Sequence, residues 1–385
     1  MRILIACPTL GISSEVWILR QIGGFTHLGH DLSVVCWQQA GYEPQQFTDK
    51  PVEVLPFGLP LQGGLGRWLQ RAKHATSRNF VRGSADEEKA LKQVLSRLRP
   101  DVMLCHFGHV AMRVLPVAKK LNIPVIAHFH GADLSSKLSD RWYSWTLASQ
   151  AKRFDQVVVV GSHQARLLQG MGVPDNRLSL IPCGVPTEQF HPEPRPAREE
   201  VCFIQVSRIV PWKGIEQALR AFAQVHVERG NTRFKVIGEG DQLDAMKRLA
   251  TELGIGKAVH FMGALPPDRV VEAFQQSDVF LQHSLTHDSG WCEGFGVSIA
   301  EAASMGLPVV VTRSGGIPDQ VLDGQTGFLV EERDIQRMAA SMLDLVDQPG
   351  KRQEMGQAGQ QRMRDHFDSA RQIAKLEQVL QKAGS

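Results

Sequence analysis

Tyrosine is nearly missing from this chain: there are two in 385 residues, and aromatic side chains make up only 7%. With a formal net charge of just +3, that scarcity argues against the basic, aromatic-studded surface of a nucleic-acid-binding protein. Cysteine is sparse too. Cys7, Cys36, Cys105, Cys183, Cys202 and Cys292 are scattered and form no Cys-x-x-Cys pair. That argues against a zinc ribbon or a disulfide framework and fits reduced thiols in a cytosolic protein. Long apolar runs are also lacking. Runs such as Val157–Val160 and Pro308–Val311 have strand length, well short of the ~18 residues a membrane span needs. Met1–Pro8 reads as a first strand entering a loop; a signal peptide would need a longer apolar region and a small-residue cleavage site.

What is present is ordinary for a globular protein with a real core: 43% hydrophobic and 22% charged residues. The length suggests about two domains of ~150–200 residues. Charge is uneven, +8 over residues 1–187 and −5 over 188–385, so an anionic surface or acceptor is expected at the first half. Both halves alternate short β-branched runs with helical periodicity. Arg2–Ala6, Asp31–Trp37, Val102–Cys105, Pro124–His128 and Asp155–Val160 read as strands, with helices at Glu15–Leu28, Val110–Leu121 and Ser162–Met171. Ile181–Pro186 and His191–Pro196 are Pro-rich and read as a linker. The pattern then restarts, with strands at Val201–Val206, Phe234–Ile237, Val259–Met262, Val279–Gln282, Val309–Thr312 and Gly327–Val330. Such alternation predicts parallel sheets covered on both faces, in two α/β domains of similar build.

The segment Glu293-Gly-Phe-Gly-Val-Ser-Ile-Ala-Glu301 carries the sharpest chemistry. Two carboxylates flank two glycines and the first turn of a helix. Helix-start amides attract phosphate, and carboxylates accept from sugar or ribose hydroxyls. The pairing predicts a ligand that is both phosphate and sugar. Ser298-Ile-Ala-Glu301 also fits a capping box, in which Glu301 merely closes its own helix. Arg208 and Lys213 lie in a loop after a strand, where two cations could neutralise a diphosphate or simply face solvent. Gly238-Glu-Gly240 reads as a tight turn rather than a dinucleotide fingerprint. His130, in His128-Phe-His-Gly-Ala-Asp133, could hydrogen-bond a sugar hydroxyl or move a proton. His106 and His109 would line the same rim. A metal site is conceivable from four histidines, but no His-x-x-x-His helix or carboxylate ligand set supports one, and none is expected. Gly11 precedes a helix that Ser13 or Ser14 could cap. Between Glu53 and Asp86 there is no acid, while Arg67, Arg71, Lys73, Arg78 and Arg82 alternate with Trp68, Leu69 and Phe80. That stretch suits either an anionic membrane surface or a solvated loop.

In this order and spacing, Ser14-Glu-Val-Trp-Ile18, His130-Gly-Ala-Asp133, Ile181-Pro-Cys-Gly184, Ser207-Arg208…Lys213-Gly214 and Glu293…Glu301 resemble the retaining glycosyltransferases of family 4, with the GT-B fold. The similarity spans nearly the whole chain and is nearest to colanic-acid-type and other exopolysaccharide enzymes. It implies two Rossmann-like domains facing a cleft: 1–187 on the acceptor side, 188–367 binding the nucleotide sugar, and a helix over 368–385 packing back on the first domain. By position, Arg208 and Lys213 would hold the diphosphate and Glu301 the ribose. Glu293 would hold the donor sugar, and His130 would lie near the transferred sugar. Backbone groups of Gly294, Phe295, Gly296, Val297 and Ser298 would meet phosphate or sugar. Many relatives have Gly-Gly where this chain has Gly11-Ile12, which weakens the donor contact of Gly11. The resemblance implies transfer of a hexose from a UDP- or GDP-sugar to a glycan or lipid-linked acceptor, without a cofactor or metal. Two other readings remain open: a nucleotide-sugar epimerase, which would convert donor without acceptor, and a non-catalytic subunit of a polysaccharide assembly complex, which would bind donor and turn over none.

Overall fold

The structure is a computed structural model and describes residues 1–12, 15–40, 52–55, 79, 81–194 and 199–384. It divides into two compact units, Met1–Pro182 with Ala370–Ser385, and Cys183–Ser369.

The first unit is built on strands β1 (Arg2–Leu10), β2 (Asp31–Gln39), β3 (Val52–Val54), β4 (Val102–His106), β5 (Val125–Phe129), β6 (Gln156–Val159) and β7 (Leu178–Leu180). They lie in the order β3-β2-β1-β4-β5-β6-β7, and every pairing is parallel. Ile5 pairs with Val34 on one side and Leu104 on the other. Ile3 to Cys7 are all buried, because helices cover both faces; this is why the strands are nearly continuous apolar runs rather than alternating ones. The second unit repeats the scheme with β8 (Val201–Val206), β9 (Thr232–Ile237), β10 (Val259–Phe261), β11 (Val279–Gln282), β12 (Val309–Thr312) and β13 (Gly327–Val330), in the order β10-β9-β8-β11-β12-β13, again all parallel. In each sheet the order reverses beside the first strand, between β1 and β4 and between β8 and β11. Loops diverge at the carboxyl ends of such strands and leave a crevice there.

Several elements depart from the sequence reading. The helices Ala85–Leu98 and Arg141–Gln150 and the short strands β3 and β7 are additional. The first unit boundary falls after Pro182, ahead of residue 187; the start of the stretch read as a linker is held by hydrogen bonds within the second unit, while residues 195–198 lie outside the described residues. The Val185 amide donates to the Phe367 carbonyl (2.9 Å), and Ser369 N donates to Val185 O (2.9 Å). Thr187 Oγ1 donates to Asp368 Oδ2 at 2.7 Å. The final helix, Ser369–Gly384, belongs to the first unit, where Glu377 meets His30 at 2.8 Å and Lys382 donates to the Asn176 carbonyl at 2.9 Å. Ser13, Ser14 and Arg67–Arg78 lie outside the described residues. Arg82 is described, and it forms an ion pair with Glu88.

Candidate active site

In the second unit the functional side chains arise from the carboxyl ends of β8 and β11, neighbours at the reversal of strand order. After β8 the chain makes one 3-10 turn, Pro211–Lys213, and ends it at Gly214 with φ +63°. A Cβ at Gly214 would lie 1.7 Å from the His283 carbonyl oxygen, so only glycine lets this loop press against the end of β11. Leu285 N donates to Trp212 O at 2.9 Å and Gln205 Nε2 donates to Lys213 O at 2.9 Å. Lys213 is thereby aimed at Glu293, with Nζ 2.5 Å from Oε2 and 5.3 Å from the centre of the Trp291 ring. Glu293 Oε2 also accepts from Gln282 Nε2 at 3.1 Å and Ser284 Oγ at 3.4 Å. Its other oxygen accepts from no described residue, which leaves an acceptor for a ligand hydroxyl.

The helix Val297–Ser304 starts from Gly296, whose φ of +82° places it in the left-handed region. This overturns the capping-box reading. Ser298 sits inside the helix and donates its hydroxyl to Gln282 Oε1 at 3.3 Å, so it cannot form the N-terminal half of a box with Glu301. A side-chain cap needs a residue with extended backbone at the helix start, and the left-handed glycine has taken that place. Glu301 is instead buried within the helix. Ile299 N and Ala300 N both donate to Gly296 O. Among the described residues the amides of Phe295, Gly296, Val297 and Ser298 have no acceptor, the usual condition of a helix start and one that favours an anion. Val297 and Ser298 are part exposed, while Gly294, Phe295 and Gly296 are buried. Phe295 anchors the turn against the Phe367 ring, centroids 5.9 Å apart. Arg208 is exposed and sits 5.8 Å from the Trp212 ring centre; the structure brings Lys213, not Arg208, to Glu293. The Gly238–Gly240 segment behaves as a turn that holds this loop, Glu239 O accepting from Ile209 N at 2.8 Å.

In the first unit, Gly11 follows β1 with φ +88° and is buried. The next helix takes Glu15 as its N-cap, without a side-chain cap bond; the capping expected of Ser13 or Ser14 falls outside the described residues. His130 follows β5 directly. Its backbone is fixed by Asp133, whose Oδ1 accepts from His130 N (3.1 Å) and Gly131 N (3.0 Å) and whose Oδ2 accepts from Gly108 N (3.0 Å). The imidazole stacks on Trp17 at 3.6 Å, and its Nε2 lies 3.1 Å from His106 Nδ1. Burial, and then the imidazoles of His128 and His106, push its pKa well below the ordinary value. His130 is therefore neutral near pH 7 and suited to hydrogen bonding rather than charge. His109 stands apart from this group, 3.1 Å from Lys137 Nζ.

Sequence reasoning missed Gln282 and Ser284, which hold Glu293, and Trp17, which covers His130. A signal existed for the first two: Gln282-His-Ser284 ends an apolar strand with three polar residues, all fully buried.

Two family profiles match almost end to end, "Glycosyltransferase Family 4" over residues 14–189 and "Glycosyl transferases group 1" over residues 186–362. The chain belongs to glycosyltransferase family 4. This glycosyltransferase is 27% identical over 364 residues to a Salmonella typhimurium protein named as a colanic acid biosynthesis glycosyltransferase, WcaL, spanning 86% of the chain and 87% of WcaL. It is 29% identical over 300 residues to the GDP-mannose-dependent alpha-(1-6)-phosphatidylinositol monomannoside mannosyltransferase of Mycolicibacterium smegmatis, spanning 73% of the chain and 76% of that enzyme. Anabaena HepE, solved in complex with UDP, superposes with a TM-score of 0.80 at 18% identity, covering 99% of this chain and 100% of HepE. The two sheets are thus the two domains of a GT-B glycosyltransferase.

Proposed function

We propose that this glycosyltransferase moves a hexose from a UDP- or GDP-sugar to a glycan or lipid-linked acceptor in cell-surface polysaccharide synthesis, with retention at the anomeric carbon. The observation that carries the reading is the meeting of Lys213, Glu293 and the unpaired helix-start amides at one strand reversal. A cation and free amides suit a diphosphate, and a carboxylate with an open oxygen suits sugar hydroxyls. The names of the relatives support the substrate class: colanic acid biosynthesis for one, GDP-mannose for another, and UDP in the solved neighbour.

In the mechanism we infer, Lys213 leaves Glu293 for the diphosphate as donor binds, with Arg208 swinging in from solvent to add a second charge. Charge building on the leaving diphosphate then meets donors already in place, and such preset electrostatics usually supply the largest share of the rate enhancement. Glu293, freed of its lysine but still held by Gln282 and Ser284, accepts from the donor sugar, and Glu301 accepts from the ribose. Neutral His130 bonds the transferred sugar. The leaving phosphate itself takes the acceptor's proton. Because two cations supply the countercharge, transfer is expected to persist in a chelator. We also propose a reducing, cytoplasmic setting, which the six free cysteines support, and contact with anionic membrane through Arg67–Arg82. Replacing those cations should abolish binding to anionic vesicles, and unchanged binding refutes the contact.

Thermal-shift measurement against UDP-, GDP- and ADP-sugars tests the donor. A ligand at 100 times its Kd adds about 2.7 kcal/mol by mass action. A rise with a UDP- or GDP-sugar that is lost in Arg208→Ala/Lys213→Ala supports the reading, and no rise with any of the three refutes it.

A further inference from the structure

The first unit gathers three histidines at the carboxyl ends of two adjacent strands. His106 and His128 are register partners across β4 and β5, and His130 follows β5. One ring nitrogen from each lies within 4.8 Å of one from each of the others. Their ring centroids are 5.4, 5.3 and 4.2 Å apart. In a tetrahedral site with metal–nitrogen bonds of about 2.0–2.1 Å, imidazole centres sit ~5 Å apart and ligating nitrogens ~3.3 Å apart. His106 Nδ1 and His130 Nε2 are already 3.1 Å apart.

A second observation is independent of this spacing. His106 and His128 are fully buried, yet His106 Nε2 and both ring nitrogens of His128 meet no partner. Leaving a buried polar group unpaired costs about 1–3 kcal/mol, so three such nitrogens in one pocket are not explained by packing. Asp133 cannot serve them, since its oxygens accept from the amides of Gly108, His130 and Gly131. The donor set is therefore three imidazoles with no carboxylate or thiolate, a set that suits zinc, copper or nickel rather than magnesium or calcium. Burial keeps the rings in the neutral form that ligates. Trp17 roofs the group, stacked on His130 at 3.6 Å and edge-on to His106 at 5.2 Å.

We propose that His106, His128 and His130 form a three-imidazole site for a borderline divalent cation of the zinc class. Three neutral ligands leave the ion its full double charge, so its fourth position takes water, hydroxide or an anion. Each ring binds through one nitrogen and keeps its proton on the other. The His130 nitrogen held by the metal cannot also accept from a sugar hydroxyl, so zinc competes with glycosyl transfer where transfer uses that nitrogen. That consequence rests on the transfer reading; the site itself does not.

The test is direct binding to the full chain, stripped of metal with a chelator. Zn2+ is titrated in competition with a chromophoric chelator, and Co2+ is titrated with visible absorption as the readout. The expected result is one ion per chain, with the intense bands of four-coordinate Co2+. His128→Asn, outside the proposed transfer machinery, should weaken binding by roughly 100-fold or more, beyond what loss of an outer-sphere partner costs. His109→Ala, outside the triad, should bind as the unsubstituted chain does. Absence of stoichiometric Zn2+ binding, a pale six-coordinate Co2+ spectrum, or undiminished binding by folded His128→Asn overturns the proposal. If His128→Asn does not fold, the Co2+ spectrum of the unsubstituted chain decides alone. Zinc that binds as expected but does not inhibit transfer would refute a transfer role for the metal-bound nitrogen of His130 while leaving the metal site standing.

Discussion

Replacing Lys213 by methionine should destabilise the second unit sharply, and the size of the effect can be worked out in advance. The lysine and Glu293 side chains are only 12% and 9% exposed, with their charged atoms 2.5 Å apart. At an effective dielectric near 20, the attraction over that distance is about 6–7 kcal/mol, most of it offset by the cost of taking both ions out of water. Removing one partner is different, because the other charge stays buried without compensation, and such losses cost about 3–5 kcal/mol. Gln282 and Ser284 would still bond Glu293, which places Lys213→Met toward the lower end of that range. For a unit of this size each kcal/mol moves Tm by about 2–4 °C, so a fall of roughly 6–12 °C is expected. Glu293→Gln should cost less, since the lysine stem can carry its charge outward to water. The double variant should cost less than the sum by about 2–3 kcal/mol, the signature of two groups in direct contact. Scanning calorimetry and urea melts of the four proteins measure this cycle. Additivity within about 0.5 kcal/mol, or a Lys213→Met shift below that of an ordinary surface change, would refute the buried-pair reasoning.

Three further outcomes follow from other parts of the molecule. Gly296→Ala puts a side chain at φ +82° with its Cβ 2.8 Å from Ile299 Cδ1; a loss of at least about 1–2 kcal/mol and weaker nucleotide binding by calorimetry are expected. Asp133→Ala strips three amides of their acceptor, the buried ones of Gly108 and His130 and the part-buried one of Gly131, at about 1–3 kcal/mol for each buried amide, and should lower the urea midpoint of the first unit by more than any single-bond loss would. His283 has its pKa pushed down to about 4 by burial while Nε2 accepts from Arg333 N at 2.8 Å. The unfolded chain takes up this proton first, so stability is full above about pH 6.5 and falls toward pH 4 at about 1.4 kcal/mol per pH unit. His283→Asn should flatten that part of the pH–stability curve in the second unit, and an unchanged slope contradicts it.

Much of the fold is readable in the sequence because strands buried on both faces leave unmistakable β-branched runs, and nearly every such run became a strand. The helix Ala85–Leu98 has a local signal as well. Ser84-Ala-Asp-Glu87 is a helix-start pattern, and Ser84 Oγ does accept from Glu87 N at 3.2 Å, but it is overshadowed by the basic stretch before it. β7, at three residues, is too short to show a period. A similar pattern misleads at Ser298–Glu301, because a glycine two positions earlier has already begun the helix in a left-handed conformation, and local spacing does not reveal backbone handedness. Lys213 and Glu293 are legible as separate charges. Their contact is not, since it depends on two loops that strand order brings together across 80 residues of sequence. His106 is legible on the rim of His128 and His130, but its register pairing with His128 is not, for the same reason.

The central claim is that Glu293 acts on the sugar and not on the nucleotide. Glu293→Ala, assayed with labelled UDP- and GDP-hexoses for transfer and by calorimetry for nucleotide binding, tests it most directly. The account predicts that transfer disappears while the free nucleoside diphosphate still binds; turnover at the level of the unsubstituted enzyme would contradict it.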